Sequence, residues 1–362
     1  MTKGPPPSKT LRGAVVGFGF ISERGHVPAY ALPGPTQFEI VAVADVCAAR
    51  RAKAHAALPG ARIYETHEQL LAAEHGHIDF VDVTTPPCDH GVVARAALAR
   101  GLHVLCEKPL ATTGSEARAM ATQAREVRRV LFPCHNYKHA PVIKAVRQVL
   151  DSDQIGPIKL VTLQTFRNTH AKGVDEWRRD WRRENRFSGG GIAMDHGSHT
   201  FYLAFDWFGA FPTAISATMS SLGDFDTEDN FSCAMTFPTG TATAHLSWTA
   251  GVRKVIYTLH GERGAVRVED DDVEVAVMSE ATRAGSVTWE TTKRKIASEW
   301  MDASHVGWFR SLFDQFALAV ANDDFFSKET ETSVRCVELI SNAYASARDR
   351  SIERVLPAGK SA

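Results

Sequence analysis

The stretch GGGIAMDHGSHTF, Gly189 to Phe201, carries one carboxylate and two imidazoles, Asp195, His196 and His199, directly after a triple glycine. Such a set suits a metal site, a proton-transfer pair, or a helix start whose polar residues face water. A metal would need three converging ligands, and neither an E-x-x-H pattern nor a cysteine accompanies the stretch. In a helix entered near the glycines, Asp195 and His199 lie four residues apart and project from one face, so both reach a single substrate hydroxyl, while His196 points elsewhere. Asp195 near the helix N-terminus is expected to stay ionised, and its field to favour the imidazolium form of His199, tuning that base towards neutrality.

Two further segments bring chemistry. In VVGFGFIS, Gly17 and Gly19 follow an apolar run and precede an amphipathic one, the context in which a backbone turn approaches a pyrophosphate at a helix N-terminus. Ser22 stands at the third glycine position of that fingerprint, and a bare turn is the competing reading. The next apolar run ends in Asp45, placed to accept both ribose hydroxyls of an adenosine and to repel a 2′-phosphate. NAD is therefore favoured over NADP, although Asp45 would equally serve as a helix cap, and Arg50 and Arg51 are placed to curl towards a phosphate. LCEKPLA puts Glu107, Lys108 and Pro109 at the end of another strand, with an X-Pro bond suited to a cis turn.

These segments need elements to hold them. A chain of 362 residues predicts two domains at ~150 residues each. Hydrophobic content of 44%, charged content of 23% and a formal net charge of -1 give no global field for nucleic acid or an anionic membrane, which leaves a small molecule as the expected partner. The six cysteines are scattered singly, without C-x-x-C pairs, as expected of reduced thiols in a cytoplasm. The proline-rich opening lacks the apolar run of a signal peptide, and residues 1–10 are expected to be a flexible tail.

Apolar runs without polar alternation, GAVVGFG, EIVAVAD, IDFVDVTTPP and HVLCEK, predict parallel strands covered on both faces. The paired prolines, Pro86 and Pro87, should end their strand sharply and deny the chain an immediate helix. From about Gly156 the pattern becomes period-two alternation. In TATAHLSW, Ala242, Ala244, Leu246 and Trp248 would face one way, predicting a mostly antiparallel sheet. Val306, Phe309, Leu312, Phe313 and Phe316 recur at helical spacing, and a last helix runs from Ser333 to Arg348.

In their order and spacing, GFGFIS, VAVADV, TTPPCDH, LCEKPLA and GGGIAMDHGSH resemble the Gfo/Idh/MocA family of NAD(P)-dependent oxidoreductases. The resemblance runs from about Leu11 to the closing YASARDRSIERVLP. It implies an α/β chain: a Rossmann domain over residues 11–133, then an α+β domain over 134–356 whose open, mostly antiparallel sheet makes a homodimer or homotetramer. It implies a catalytic triad of Lys108, Asp195 and His199. His199 would take the hydroxyl proton of a secondary alcohol as hydride leaves to the nicotinamide, and Lys108 would stabilise the developing alkoxide. The cofactor would lie against Gly17, Phe18, Gly19, Phe20, Ile21, Asp45, Thr85, Pro86, Pro87, His90, Glu107, Lys108 and Asn136. The position three residues after the histidine, an aspartate in many members, is Tyr202 here.

Substrate contacts are expected from Lys108, Asn136, Asp195 and His199, and from the segment FRNTHAKGVDEWRRDWRRENRF, through Arg167, Trp181 and Arg182. A tryptophan there would stack on a sugar, and Arg178 or Arg182 would pair with an anionic substituent. The other arginines are equally suited to be solvated or interface residues. His135, Lys138 and His139 in CHNYKHAP have a solvated linker as their competing reading. The expected function is NAD-dependent oxidation of a sugar or cyclic polyol, or reduction of the matching keto-sugar. Two alternatives stand beside it: a glycosidase that uses nicotinamide transiently, and a sugar-sensing protein without turnover.

Overall fold

The computed structural model describes residues 10–279, 288–298, 300–350 and 352–354; residues 1–9 of the expected tail lie outside it. Six parallel strands, β1 (Leu11–Val16), β2 (Phe38–Ala44), β3 (Arg62–Tyr64), β4 (Phe80–Val83), β5 (His103–Cys106) and β6 (Leu131–Pro133), form a sheet in the order β3-β2-β1-β4-β5-β6. Their apolar runs do not alternate because both faces are covered. The helices α1 (Val27–Ala31), α2 (Ala48–Ala57), α3 (His67–Glu74), α4 (Pro87–Leu98) and α5 (Gly114–Glu126) supply most of that cover. The strand order reverses at β1, so the carboxyl ends of β1 and β4 open a crevice where doubly wound sheets bind ligands.

The paired prolines behave otherwise than expected. Pro87 is the first residue of α4 and Pro86 its N-cap, so they start a helix immediately. Proline is well suited to that position, because the missing N–H has no helical partner there and the ring pre-sets φ. The Lys108–Pro109 bond is cis.

After α6 (Pro141–Asp151), the strands β7 (Ile158–Phe166), β8 (Ala214–Ser220), β9 (Asn230–Phe237), β10 (Gly240–Ser247), β11 (Lys254–Gly261), β12 (Gly264–Glu269), β13 (Asp272–Met278), β14 (Trp289–Lys295) and β15 (Ile352–Arg354) form the second sheet. Its order is β14-β13-β12-β11-β7-β10-β9-β8-β15, and it is antiparallel except for the β7–β10 pair. Ala242, Ala244, Leu246 and Trp248 are all buried on one face, as the alternation predicts. Three short helices lead into that core: α7 (Asn185–Ser188), α8 (Ile192–Asp195) and α9 (Gly197–Phe208).

The two closing helices, α10 (Val306–Ala321) and α11 (Lys328–Asp349), tie the sheets together. Phe309, Leu312, Phe313 and Phe316 of α10 pack on Leu11, Tyr30, Phe80 and Leu105, so a helix from the chain's last third covers the first sheet. Val334 and Val337 of α11 join the core of the first sheet, whereas Cys336, Leu339, Ile340 and Ala343 join that of the second. The chain therefore returns to its N-terminal half after residue 133.

Behind the crevice, buried His26 bridges two carboxylates: its Nδ1 lies 2.8 Å from Asp82 Oδ2 and its Nε2 lies 3.1 Å from Glu107 Oε1. Burial alone would lower its pKa, but the charges and hydrogen bonds of Asp82 and Glu107 outweigh it and raise the value to about 9. A folded-state pKa above the unfolded one contributes stability that is fully present below about pH 6.5 and lost as pH rises towards 9, worth about 3 kcal/mol. Denaturant midpoints measured from pH 6.5 to 9 should fall in the wild type and stay nearly level in His26→Gln. A parallel fall in both would remove His26 from this role.

Candidate active site

The crevice widens into a cleft of about 830 Å³ between the carboxyl ends of β1, β2, β4 and β5 and the segment that carries α7 to α9. On the first wall, Gly17 has φ +90°, and a Cβ there would stand 2.8 Å from the backbone nitrogen of Thr85, so only glycine keeps the two loops together. Gly19, Phe20 and Ile21 follow along the cleft, and a π-helical turn, Ser22–His26, then leads into α1. Phe18 departs from expectation: its ring is buried in a core formed with Val15, Val43 and Ala54, and only its backbone serves the loop. Asp45 Oδ2 accepts from the Phe18 nitrogen at 2.6 Å and Oδ1 from the Cys47 nitrogen at 2.8 Å, so this carboxylate holds the glycine loop and lines the cleft at once.

Arg50 donates to Phe18 O and to Glu23, and Arg51 to Asp45 O and Glu65, so both arginines are already engaged. Thr85, Pro86, Pro87, Glu107 and Lys108 also line the cleft, and Thr85 Oγ1 is buried there without a hydrogen-bond partner among the described residues, the kind of atom a bound cofactor would satisfy. His90 does not reach it. Its ring is buried between the carbonyls of Pro109, 2.8 Å from Nδ1, and Thr85, 2.9 Å from Nε2, which makes it a strut behind the two loops.

On the facing wall, the triple glycine lets the chain pass under neighbours that leave no room for side chains. A Cβ on Gly191 would collide with the Glu228 carbonyl, and one on Gly190 with the Tyr344 hydroxyl. The helix that follows is broken at His196, between α8 and α9, so Asp195 and His199 do not share one continuous helix. Lys108 Nζ donates to Asp195 Oδ1 at 3.1 Å and to its carbonyl at 2.9 Å. Burial would raise the Asp195 pKa, but Lys108, His196 and Arg182 hold it well below the usual carboxylate range. Contrary to expectation His196 does not point away: the break turns its Nδ1 to within 3.1 Å of Asp195 Oδ2.

His199 has a different partner from the one expected. Its Nδ1 lies 2.6 Å from the Tyr202 hydroxyl, which also accepts the Tyr137 backbone N–H, and its ring stacks on Tyr137 at 3.8 Å. Burial, then the charges of Lys108 and His196, push its pKa well down despite Asp195, so it is a neutral imidazole rather than one tuned upwards. Asp195, His196 and His199 do not bring their ligand atoms together as a metal site would. The group of possible ligands among the described residues is His26, Glu107 and Cys134, buried behind the cleft with His26 already bridging carboxylates.

The arginine-rich segment divides. Arg167, Trp177, Trp181 and Arg182 line the cleft, with the Arg182 guanidinium 4.2 Å over the Trp181 ring. Arg178 does not: it lies over Phe187 at 4.8 Å and 3.5 Å from Glu184. Arg179, Arg183 and Arg186 are paired with Asp175, Asp229 and Glu184. Glu176 crosses to the first wall and pairs with Lys53 at 2.6 Å and Arg50 at 3.5 Å. Asn136 is buried and lines the cleft, but its neighbours are no solvated linker: His135 and Lys138 bind Glu329 at 2.8 and 2.7 Å, and His139 binds Ser311. Sequence reasoning missed Tyr137, Trp248, Arg253 and His305 as lining residues. Tyr137 at least stood beside Asn136; the other three are distant in the chain and carry no local signal.

The chain matches known families over both halves. Residues 11–135 fit the model of an oxidoreductase family with an NAD-binding Rossmann fold, and residues 143–267 that of the GFO/IDH/MocA C-terminal domain. The chain belongs to the Gfo/Idh/MocA family. Among its family relatives, YdgJ, an uncharacterized oxidoreductase of Escherichia coli strain K12, is 25% identical over 71% of this chain and 71% of its own. Levoglucosan dehydrogenase of Pseudarthrobacter phenanthrenivorans is 31% identical over 40% of this chain, and the match spans only 36% of that enzyme's length. A solved levoglucosan dehydrogenase, in complex with NADH and levoglucosan, superposes over 96% of this chain and 100% of its own with a TM-score of 0.81 at 20% identity, a likeness of fold.

Proposed function

We propose that this member of the Gfo/Idh/MocA family transfers a hydride between NAD and a secondary alcohol of a sugar, cyclic polyol or keto-sugar. The observation that carries the proposal is the convergence of Lys108, Asp195 and His199 in the cleft that the Gly17 turn and Asp45 open. The bound nicotinamide supplies the hydride acceptor or donor. Gly17, Asp45 and Thr85 would hold the cofactor, as would the rim formed by Phe20, Ile21, Pro86 and Pro87. With Nδ1 engaged by Tyr202, His199 has Nε2 left to take the hydroxyl proton in oxidation or return it in reduction. Lys108, fixed by Asp195, lies ready to hydrogen-bond the reacting oxygen and stabilise its negative charge. Asn136 and the Trp181–Arg182 pair would hold the remaining hydroxyls.

Two supports come from outside the triad: a family match that includes an NAD-binding domain, and a relative solved with NADH and levoglucosan. A panel of inositols, aldoses, uronates and keto-sugars followed by NADH absorbance tests the proposal. Sugar release from glycosides without net NADH would instead favour the glycosidase, and NADH binding without turnover on any of them the sensor.

Cofactor choice follows from the same wall. Asp45 would oppose a 2′-phosphate, and Arg50 and Arg51 are held by Glu23, Glu176 and Glu65. NADH should therefore bind at least about tenfold more tightly than NADPH by calorimetry, roughly the 1.4 kcal/mol of one unfavourable charge contact. Equal affinities would overturn the role given to Asp45.

A homodimer or homotetramer joined through the open face of the nine-stranded sheet suits the exposed or half-exposed Leu160, Thr162, Thr243 and Thr258, and light scattering tests it. A reducing, cytoplasmic setting suits the six cysteines, all unpaired. No helix among the described residues is long and apolar enough to cross a membrane.

A further inference from the structure

The substrate half of the cleft has more positive charge than its own carboxylates neutralise. Among the described residues after 133 that line the cleft, Asp195 is the one carboxylate, and it is shared by Lys108 at 3.1 Å, His196 at 3.1 Å and Arg182 at 3.6 Å. Lys172, also among these residues, is held by Asp180. Arg167 and Arg253 have no such partner: among the described residues no carboxylate comes within ion-pair distance of either. Arg167 donates to the Phe166 carbonyl at 3.0 Å, and Arg253 to the carbonyls of Met301 at 2.9 Å and Trp300 at 3.3 Å. Carbonyls satisfy N–H groups without neutralising charge.

The fold brings these two arginines to the same end of one strand pair. β7 and β11 pair antiparallel, with Phe166 opposite Lys254, so the next pair beyond the end of the ladder is Arg167 opposite Arg253. Like charges facing each other across two strands are destabilising unless something of opposite sign lies between them. Buried nitrogens with no hydrogen-bond partner among the described residues lie here: Arg253 Nε, and Nδ1 of His305, a cleft-lining histidine stacked on Trp308 at 3.8 Å. Burial and then the field of Arg167 lower the pKa of Arg253, and the more distant charges of Asp270 and Asp302 offset this only in part.

We propose that the substrate is anionic, and that Arg167 and Arg253 together bind its carboxylate or phosphoryl group at the end of the β7–β11 ladder. This rests on the hydride-transfer reading of the same cleft and adds the substrate class to it. Each guanidinium presents a planar fork of N–H donors matched to either oxyanion, and a neutral sugar offers it only hydroxyls.

The test is calorimetric titration of the protein saturated with NADH, so that no turnover occurs, using D-glucuronate, D-glucose 6-phosphate and D-glucose as probes. At least one anion should bind ten times or more tightly than D-glucose, and which one it is separates carboxylate from phosphoryl recognition. Arg167→Gln and Arg253→Gln should each remove most of that advantage while NADH affinity stays unchanged, and added salt should shrink it in the wild type. Equal binding of anions and D-glucose, no binding of either anion, or unchanged affinity in both variants would overturn the proposal. Failure of the hydride-transfer reading looks different: NADH itself would not bind, or no sugar of either charge would be oxidised.

Discussion

Lys108→Ala and His199→Ala should each lower turnover by ~10²-fold or more while NADH affinity changes little, because in the proposed mechanism both side chains act on the reacting oxygen rather than on the cofactor. The two should differ in their dependence on pH. His199 is held well below its ordinary value by burial first and then by Lys108 and His196, and its Nδ1 meets the neutral phenol of Tyr202 rather than a carboxylate. The wild-type enzyme should therefore show no histidine inflection in kcat/KM near pH 6.5, since the base is already neutral there and protonates only in more acid solution. Removing Lys108 removes a charge that depresses His199, so the residual activity of Lys108→Ala should acquire an acid limb shifted upwards. Single-turnover rates from pH 4.5 to 9 read both effects. Near wild-type turnover in either variant removes that residue from the proton path, and an inflection at about 6.5 in the wild type would mean that His199 is solvated during catalysis.

Glu228→Ala should damage both stability and turnover, although Glu228 lies outside the proton path. Its Oε2 accepts the Gly191 N–H at 2.9 Å, and its Oε1 accepts the Ala193 N–H at 2.8 Å and the Tyr344 hydroxyl at 2.9 Å. Three donors thus converge on one buried side chain that starts the short helix ending at Asp195. Alanine would leave them without partners, at a cost on the order of 3 kcal/mol or more. The expected result is a fall of roughly 5 °C or more in melting temperature, with kcat reduced more than KM as Asp195 loses its fixed position. Glu228→Gln is the sharper control, since an amide NH₂ must then face a backbone N–H and cannot restore the set. Unchanged melting and kcat in both variants would show that the glycine turn holds Asp195 without this carboxylate.

Local chemistry made much of this legible. The unalternating runs around Ala14 and Val43 announced a sheet covered on both faces, and the alternation through Ala242 to Trp248 a sheet covered on one, because side-chain direction in a strand depends only on sequence parity. Gly17 and Asp45 are legible as a tight turn after one strand and a carboxylate at the end of the next, and the structure joins them through the Asp45–Phe18 hydrogen bond. Lys108 stands out beside Pro109 at a strand end, and Asp195 and His199 through their spacing after three glycines.

The sequence by itself thus determined the two sheets, and through the family resemblance it pointed to Gly17, Asp45, Lys108, Asp195 and His199 as candidate site residues. Tertiary structure alone decided how those residues are tuned and what surrounds them. His90 and Phe18 sat inside motifs yet turn into the interior, and Pro86 and Pro87 start a helix rather than prevent one. His196 meets Asp195 only because the helix breaks between α8 and α9, and His199 is neutral because burial, Lys108 and His196 outweigh the neighbouring carboxylate. Arg253 reaches Arg167 through strand register, and His305 enters the cleft because α10 folds back on the first sheet. The reason is the same in each case: a side chain's direction follows from its own few neighbours in the chain, whereas its burial, charge partners and pKa depend on segments up to hundreds of residues away.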